Sequence, residues 1–318
     1  MASYDLSILI PARNEMFLAR TIDDILEHCE GSTEIIAVLD GYKPEPPLTN
    51  PDPRITVIYN SESVGQRGAT NQAAHISKAK YVMKVDAHCA FDQGFDVKMM
   101  AEMHDDWTMV PLMKNLHAFD WVCPDGHRRY QGPSGPCKTQ LTEGQECGKE
   151  TTRDIVWHAK ESPKSVSYCF DATPHFQYFG DYPKRPEGQG DITETMSLQG
   201  SCWMLTRDKY WELNVSDEAF GSWGSQGIEV AVKTWLSGGS VMVNKKTWYG
   251  HMFRTQGGDF SFPYPMSGSQ QERAKKYARD LFFNNNWSLQ VRPLSWLVER
   301  FWPVKGWTDE NLAKLKAN

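Results

Sequence analysis

The sequence predicts an α/β fold around a parallel sheet with helices on both faces. Two observations predict it. Short apolar runs of strand length alternate with stretches of helical spacing through the first third of the chain, the pattern of βαβ units. Regular structure of both kinds then resumes from about residue 195, after a long segment of different texture.

The elements follow in order. LSILIPA is an apolar run closed by Pro11, and NEMFLARTIDDILEHC after it carries Leu18, Ile22, Ile25 and Cys29 at helical spacing. TEIIAVLDGY reads as a second buried strand ending at Asp40. Beyond the proline-rich loop 43–53, RITVIYN is a third strand, Gly65–Gly68 a turn, ATNQAAHISKA a helix and YVMKV a fourth strand. In parallel sheets ligands bind at the carboxyl ends of the strands. Pro11-Ala12-Arg13, Asp40 and Asp86-Ala87-His88 all stand at such ends and should converge on one crevice. Side chains alternate along a strand, so Asp86 and His88 point the same way. They suggest a metal site or a catalytic pair; the alternative is a strand that surfaces into a polar loop.

The 318 residues suffice for one large domain or two packed halves. With 40% hydrophobic and 23% charged residues the composition is that of a soluble globular protein. No window has the length of a membrane span, and MASYDLSILIPARNE lacks a basic region before its apolar run, so neither export nor an anchor is expected. Seven cysteines, an odd number without a disulfide-framework spacing, point to a reducing cytoplasm. The net charge of −6 excludes a uniformly basic surface but not a local basic groove. The load of 12 Trp, 12 Tyr and 14 Phe suits a large core and also stacking on sugars or bases.

Residues 116–170 read as an insertion, with Cys123, His127, Cys137, Cys147 and Cys169, many turn formers and the basic cluster His127-Arg128-Arg129. After SLQGSCWMLTRDKYWEL and GSWGSQGIEVAVKTWLSGGSVMV, the tail contains a helical stretch, QQERAKKYARDLFF, and the aromatic run WSLQVRPLSWLVERFWPVKGW.

SILIPARNE, EIIAVLDGY, VGQRGATNQAA and YVMKVDAH, in that order, resemble the GT-A glycosyltransferases of the family 2 type. The second half is similar to the catalytic core of polypeptide N-acetylgalactosaminyltransferases: Trp223-Gly224-Ser225-Gln226-Gly227-Ile228-Glu229, then Lys233-Thr234-Trp235 with Gly238-Gly239, then Gly250-His251-Met252-Phe253-Arg254. The resemblance covers roughly residues 5–115 and 195–258, and the whole looks like a phage-type member. It implies a GT-A, Rossmann-like α/β fold with a mixed, mostly parallel central sheet, a nucleotide-sugar-binding half (1–115), a Cys/His-rich insertion (116–170), an acceptor-binding and catalytic half (171–260) and a helical, aromatic C-terminal extension (261–318).

The activity implied is transfer from a UDP-sugar. A divalent cation would offset charge on the leaving diphosphate. Asp86, His88 and His251 would hold it, and a mixed nitrogen and oxygen set suits Mn²⁺ better than Mg²⁺. Pro11, Ala12, Arg13 and Glu15 would wrap the base, with Asp40 on the uracil or ribose, Arg67 facing the nucleotide and Arg254 reaching the diphosphate. For Asp40 the alternative is a turn residue before Gly41, and for Arg67 a solvated loop arginine. TQGGDF, after Arg254, has the glycine content of a closing lid. Trp223 and Gln226 belong to the catalytic stretch. Inverting relatives carry a Glu-Asp pair where Gln226 and Gly227 stand here, and neither of these is a base. Retention is therefore expected, with Glu229 as the fallback base.

Cys123, His127, Cys137 and Cys147 match a structural zinc set in kind; the alternative is free cysteines in a loop. The basic and aromatic residues of the insertion and the phage-type likeness point to a hydroxymethylated pyrimidine in viral DNA as acceptor, in a host cytoplasm. The core's likeness points instead to protein Ser or Thr. A third reading, of another class, is a non-catalytic nucleic-acid-binding protein on a degenerate transferase core.

Overall fold

A computed structural model describes residues 4–254, 260–262, 264 and 268–318. The first half is built as β1 (Leu6–Ala12), α1 (Leu18–His28), β2 (Thr33–Asp40), β3 (Ile55–Asn60), α2 (Gly65–Ile76), β4 (Tyr81–Val85), β5 (Cys89–Phe91) and α3 (Phe95–Ala101). The long strand β6 (Trp107–Val122) follows, then β7 (Arg128–Tyr130), β8 (Gln140–Thr142), β9 (Gln145–Glu146) and β10 (Thr152–Ser165). After β11 (Tyr168–Phe170), β12 (Phe176–Tyr178) and β13 (Ile192–Glu194) come β14 (Cys202–Thr206), α4 (Arg207–Glu212), α5 (Gln226–Leu236) and β15 (Ser240–His251). The tail folds as α6 (Gly268–Ala278), a π turn, α7 (Leu294–Arg300) and α8 (Asp309–Lys316).

The main sheet runs β13-β15-β6-β14-β4-β1-β2-β3. β1 is parallel to β2 and β4, and β2 to β3, as the βαβ pattern requires. β14 is antiparallel to β4, β6 and β15 are parallel to each other, and β13 is antiparallel at the edge. The sheet is therefore mixed, and both faces are covered. β1 is buried at every position: Leu9 packs into one core cluster with Val38, Trp203 and Trp235, while Ile8 and Ile10 face another with Ile22 and Phe91. Leu294, Leu297, Val298 and Phe301 of the C-terminal tail fill the first of these clusters, and the Trp307 indole donates to the Phe170 carbonyl at 2.7 Å.

The stretch 116–170 forms an arm. β6 passes through residue 116 without a break, and β10 returns antiparallel along it, pairing from Thr152 opposite Val122 to Ser165 opposite Met113. The expected lid, Thr255–Asp259, lies outside the described residues. Among the described residues no helix is long and apolar enough to cross a membrane.

Candidate functional site

β1 and β4 lie side by side and parallel, with Leu9 opposite Lys84, so their carboxyl ends reach the same edge of the sheet. β5 pairs with β15, placing Cys89 opposite His251, and this register carries the end of β15 to the same point. Asp86, His88 and His251 thereby offer one carboxylate oxygen and two imidazole nitrogens within 4.8 Å of one another. His251 Nε2 lies 3.2 Å from Asp86 Oδ2, and His88 Nε2 lies 3.7 Å from the same oxygen. On its other side His88 Nδ1 meets Glu15 Oε2 at 3.1 Å. A carboxylate on Nδ1 fixes the tautomer that leaves Nε2 a bare lone pair, as metal-ligating histidines commonly require. Glu15 is itself held by an ion pair with Arg254, whose guanidinium stacks 4.0 Å from the Phe260 ring centroid.

Charge at the cluster is set from below. Lys84, wholly buried, pairs with Asp86 and donates to the Gly200 carbonyl at 2.8 Å. Burial pushes the Asp86 carboxyl up, but the Lys84 ammonium and the hydrogen bond with His251 outweigh it and hold the group well below the carboxylate range. Burial pushes His251 down to about 4, against the hydrogen bond with Asp86. At neutral pH the set is thus an ionised carboxylate beside a neutral His251, the protonation a divalent cation needs.

These residues line a cavity of about 250 Å³ together with Pro11, Arg13, Gln66, Gln199, Trp223, Phe253, Phe262 and Tyr264. A second cavity of about 270 Å³ shares Asp86, Gln66, Gln199 and Trp223 and continues past Gly224, Ser225, Gln226 and Gly227 to His175 and Lys275. Gln226 is buried, and neither its Oε1 nor its Nε2 has a partner within the protein. An amide left this way is an open recognition point for a polar ligand group.

Four sequence expectations take a different place. Ala12 turns into the core because strand alternation sends it opposite to Pro11 and Arg13. Asp40 does not face the cavity. Its carboxylate accepts from Val64 N at 2.7 Å, Gly65 N at 3.0 Å, Ser63 Oγ at 2.7 Å and Tyr264 Oη at 2.9 Å, which uses up its lone pairs in fastening the loop before α2. Arg67 is neither solvated nor at the nucleotide cleft: its Nε donates to Glu229 at 2.9 Å, and its other nitrogens donate to the carbonyls of Gly221 at 3.1 Å and Gly224 at 2.7 Å. Glu229, fully buried, also binds Lys233 Nζ at 3.0 Å and accepts from Asp217 N at 2.8 Å. A carboxylate so enclosed cannot reach an acceptor hydroxyl, so Glu229 is not placed as a base but as the anchor of the 217–225 loop.

The missing carboxylate at Gly227 has a steric cause. A Cβ there would run into the Leu198 carbonyl oxygen. Gly227→Asp is therefore expected to destabilise the fold by about 1–3 kcal/mol or more without creating a base, a result that chemical denaturation and a product assay would register. Two residues that the sequence reading passed over belong to the site. Lys84 had a signal, a lysine within the apolar run YVMKV at the same strand parity as Asp86 and His88. Tyr264 had none, since only tertiary folding brings it to Asp40.

Residues 7–130 match the family model described as Glycosyl transferase family 2. A Drosophila melanogaster protein described as "Putative polypeptide N-acetylgalactosaminyltransferase 13" is 22% identical over 314 residues, covering 93% of this chain and 48% of that protein. Human polypeptide N-acetylgalactosaminyltransferase 14 is 22% identical over 209 residues, covering 64% of this chain and 31% of the relative. A solved structure of GalNAc-T7 with UDP, GalNAc and Mn²⁺ superposes with a TM-score of 0.57 at 18% identity, over 82% of this chain and 46% of that one. The chain spans less than half the length of these relatives.

Proposed function

We propose that this chain, a GT-A fold protein carrying a family 2 glycosyltransferase domain over residues 7–130, moves a sugar from a UDP-sugar to an acceptor hydroxyl with retention of configuration. The observation that carries the reading is the Asp86, His88 and His251 cluster, backed by Glu15, in a cleft at the carboxyl ends of β1 and β4. A divalent cation of the Mn²⁺ type fits this donor set, and when bound it would offset charge on the leaving diphosphate. The protein's own residues do the rest. Pro11 and Arg13 border the nucleotide side of the cavity, Arg254 stands beside it, and Trp223 separates it from the Gln226 pocket.

Retention is supported by the carboxylate inventory. Among the described residues lining the two cavities, the carboxylates are Asp86 and Glu15, and both are engaged. The bond from the anomeric carbon to the diphosphate breaks, the acceptor oxygen bonds to that carbon on the same face, and the acceptor proton passes to the departing phosphate oxygen.

The acceptor we favour is a hydroxymethylated pyrimidine in viral DNA, in the cytoplasm of a host. A cavity of about 220 Å³ next to His251 is walled by Tyr130 and Arg153 of the arm. On the arm, Lys160 Nζ lies 3.8 Å from the Tyr130 ring centroid, and Arg153 packs 5.0 Å from that of Trp121. Cations interleaved with aromatic rings suit phosphates and stacked bases. The test offers a panel of UDP-sugars with Mn²⁺ to hydroxymethylated DNA and to a Ser/Thr-rich peptide side by side. UDP release with α-linked sugar on the DNA is expected. Transfer to the peptide alone would replace the DNA reading with a protein O-glycosyltransferase, and absence of UDP release with any donor would leave a binding protein. A β-linked product would overturn retention and direct attention to His175 on the far wall.

A further inference from the structure

The arm carries a second cluster, remote from the chemistry above. Cys123, His127, Cys137 and Cys147 each direct one ligand atom to a common point, all within 4.8 Å of one another. Cys123 Sγ lies 3.5 Å from His127 Nδ1 and 4.0 Å from Cys147 Sγ, and Cys137 Sγ lies 3.7 Å from the same His127 nitrogen. A tetrahedral zinc, with bonds of about 2.3 Å to sulfur and 2.0–2.1 Å to nitrogen, demands edges of about 3.8 Å between sulfurs and 3.5–3.6 Å from sulfur to nitrogen. These three separations are those edges to within a few tenths of an ångström, and the remaining three pairs lie within 4.8 Å.

The backbone is arranged to present these side chains. Cys123 N donates to the His127 carbonyl at 3.2 Å and Gly126 N to the Cys123 carbonyl at 2.9 Å, closing a tight turn through Pro124-Asp125. Gly126 has φ +78°, which suits glycine there. A second loop is tied by Cys147 N to the Thr139 carbonyl and Gly148 N to the Cys137 carbonyl, both at 2.9 Å, which sets Cys137 across from Cys147. Two separate turns thus deliver two ligands each.

Something must hold this region, because its own apolar content does not. Between residues 124 and 151, Cys137 is the one buried residue. β8 and β9 pair only with each other and are exposed at every position. A lone two-stranded hairpin is marginal in water, and small units without a core are commonly stapled by a metal.

We propose that these four residues bind one structural zinc ion that clamps the tip of the arm. All four ligands come from the protein, so the centre is closed and holds structure rather than substrate. Its position gives it a further consequence. The Cys123–His127 turn joins β6 to β7, and β7 runs into Tyr130, Gln131 and Gly132, which wall the cavity beside His251. Gln131 Nε2 donates to the Leu116 carbonyl at 3.1 Å and the Trp121 indole to the Gly132 carbonyl at 3.0 Å, so the clamp and the cavity wall are one connected piece.

The test is elemental analysis of the purified full chain after dialysis against a weak chelator. About one zinc per chain is expected. His251→Ala, which disables the other cluster, should keep that zinc, while Cys137→Ser and Cys147→Ser should each lose it. Refolding with Co²⁺ instead should give the visible absorption of a tetrahedral thiolate-bound ion in the parent and not in Cys147→Ser. Zinc-free parent protein whose seven cysteines all react with a thiol reagent would overturn the proposal. So would a zinc-free chain with two thiols missing from that count, which would make Cys123 and Cys147 a disulfide. Zinc lost on His251→Ala but retained on Cys137→Ser would assign the ion to the wrong cluster and overturn it equally.

Discussion

His251→Ala is expected to lower sugar transfer by about 10²–10⁴-fold at any Mn²⁺ concentration, the several kcal/mol a cation contributes to charge on a leaving diphosphate. The substitution removes one hydrogen bond, that of 3.2 Å between His251 Nε2 and Asp86 Oδ2. Lys84 still pairs with that carboxylate, and the ring's Nδ1 has no partner to lose. Stability should change little. Asp86→Ala is a poorer test, since it would strand the wholly buried ammonium of Lys84, and a drop in activity could then come from unfolding. Asp86→Asn retains a hydrogen-bond acceptor for Lys84 while removing the charge that holds the cation. UDP release with and without Mn²⁺, alongside a thermal melt of each variant, checks both. Near-parental turnover by His251→Ala under metal-dependent conditions would remove His251 from the ligand set.

The second large effect is on stability. Arg67→Met should cost about 3–5 kcal/mol, the loss incurred when one partner leaves a buried ion pair. Arg67 and Glu229 are both essentially inaccessible to solvent, and the guanidinium lies 2.8 Å from the carboxylate. Its removal also releases the Gly221 and Gly224 carbonyls, two fastenings of the loop that carries Trp223. Glu229→Gln should be destabilised comparably, because Arg67 and Lys233 then share a neutral partner. Urea denaturation of both variants measures this directly. A Glu229→Gln protein as stable as the parent but devoid of activity would mean that Glu229 acts as a base after all.

The first four strands were legible because apolar runs of period two and helices of period 3.6 are local properties of the chain, and LSILIPA, for example, became β1 from Leu6 to Ala12. Asp86 and His88 were legible as a pair for the same reason, two residues apart at one strand end. Ala12 could have been excluded by the same alternation, applied outward from Pro11. Asp40 and Arg67 could not be placed from sequence. Each stands at a strand or helix end, where a side chain can turn to the cavity or to the loop behind it, and the decision rests on donors and acceptors from distant segments. For Arg67 the deciding partner, Glu229, lies 162 residues away.

What the sequence alone determined was the order of strands and helices, the strand-end polar residues and the kinds of ligand available at the two clusters. Tertiary structure decided which of those residues share a site. The register of β15 against β5 brings His251 to Asp86, the packing of Gly227 against Leu198 leaves no room for a side chain at that position, and two turns of the arm gather three cysteines and a histidine. The physical reason is that hydrophobic period is written residue by residue. The partner of a buried charge is chosen only when the chain closes and every desolvated group must be satisfied at once.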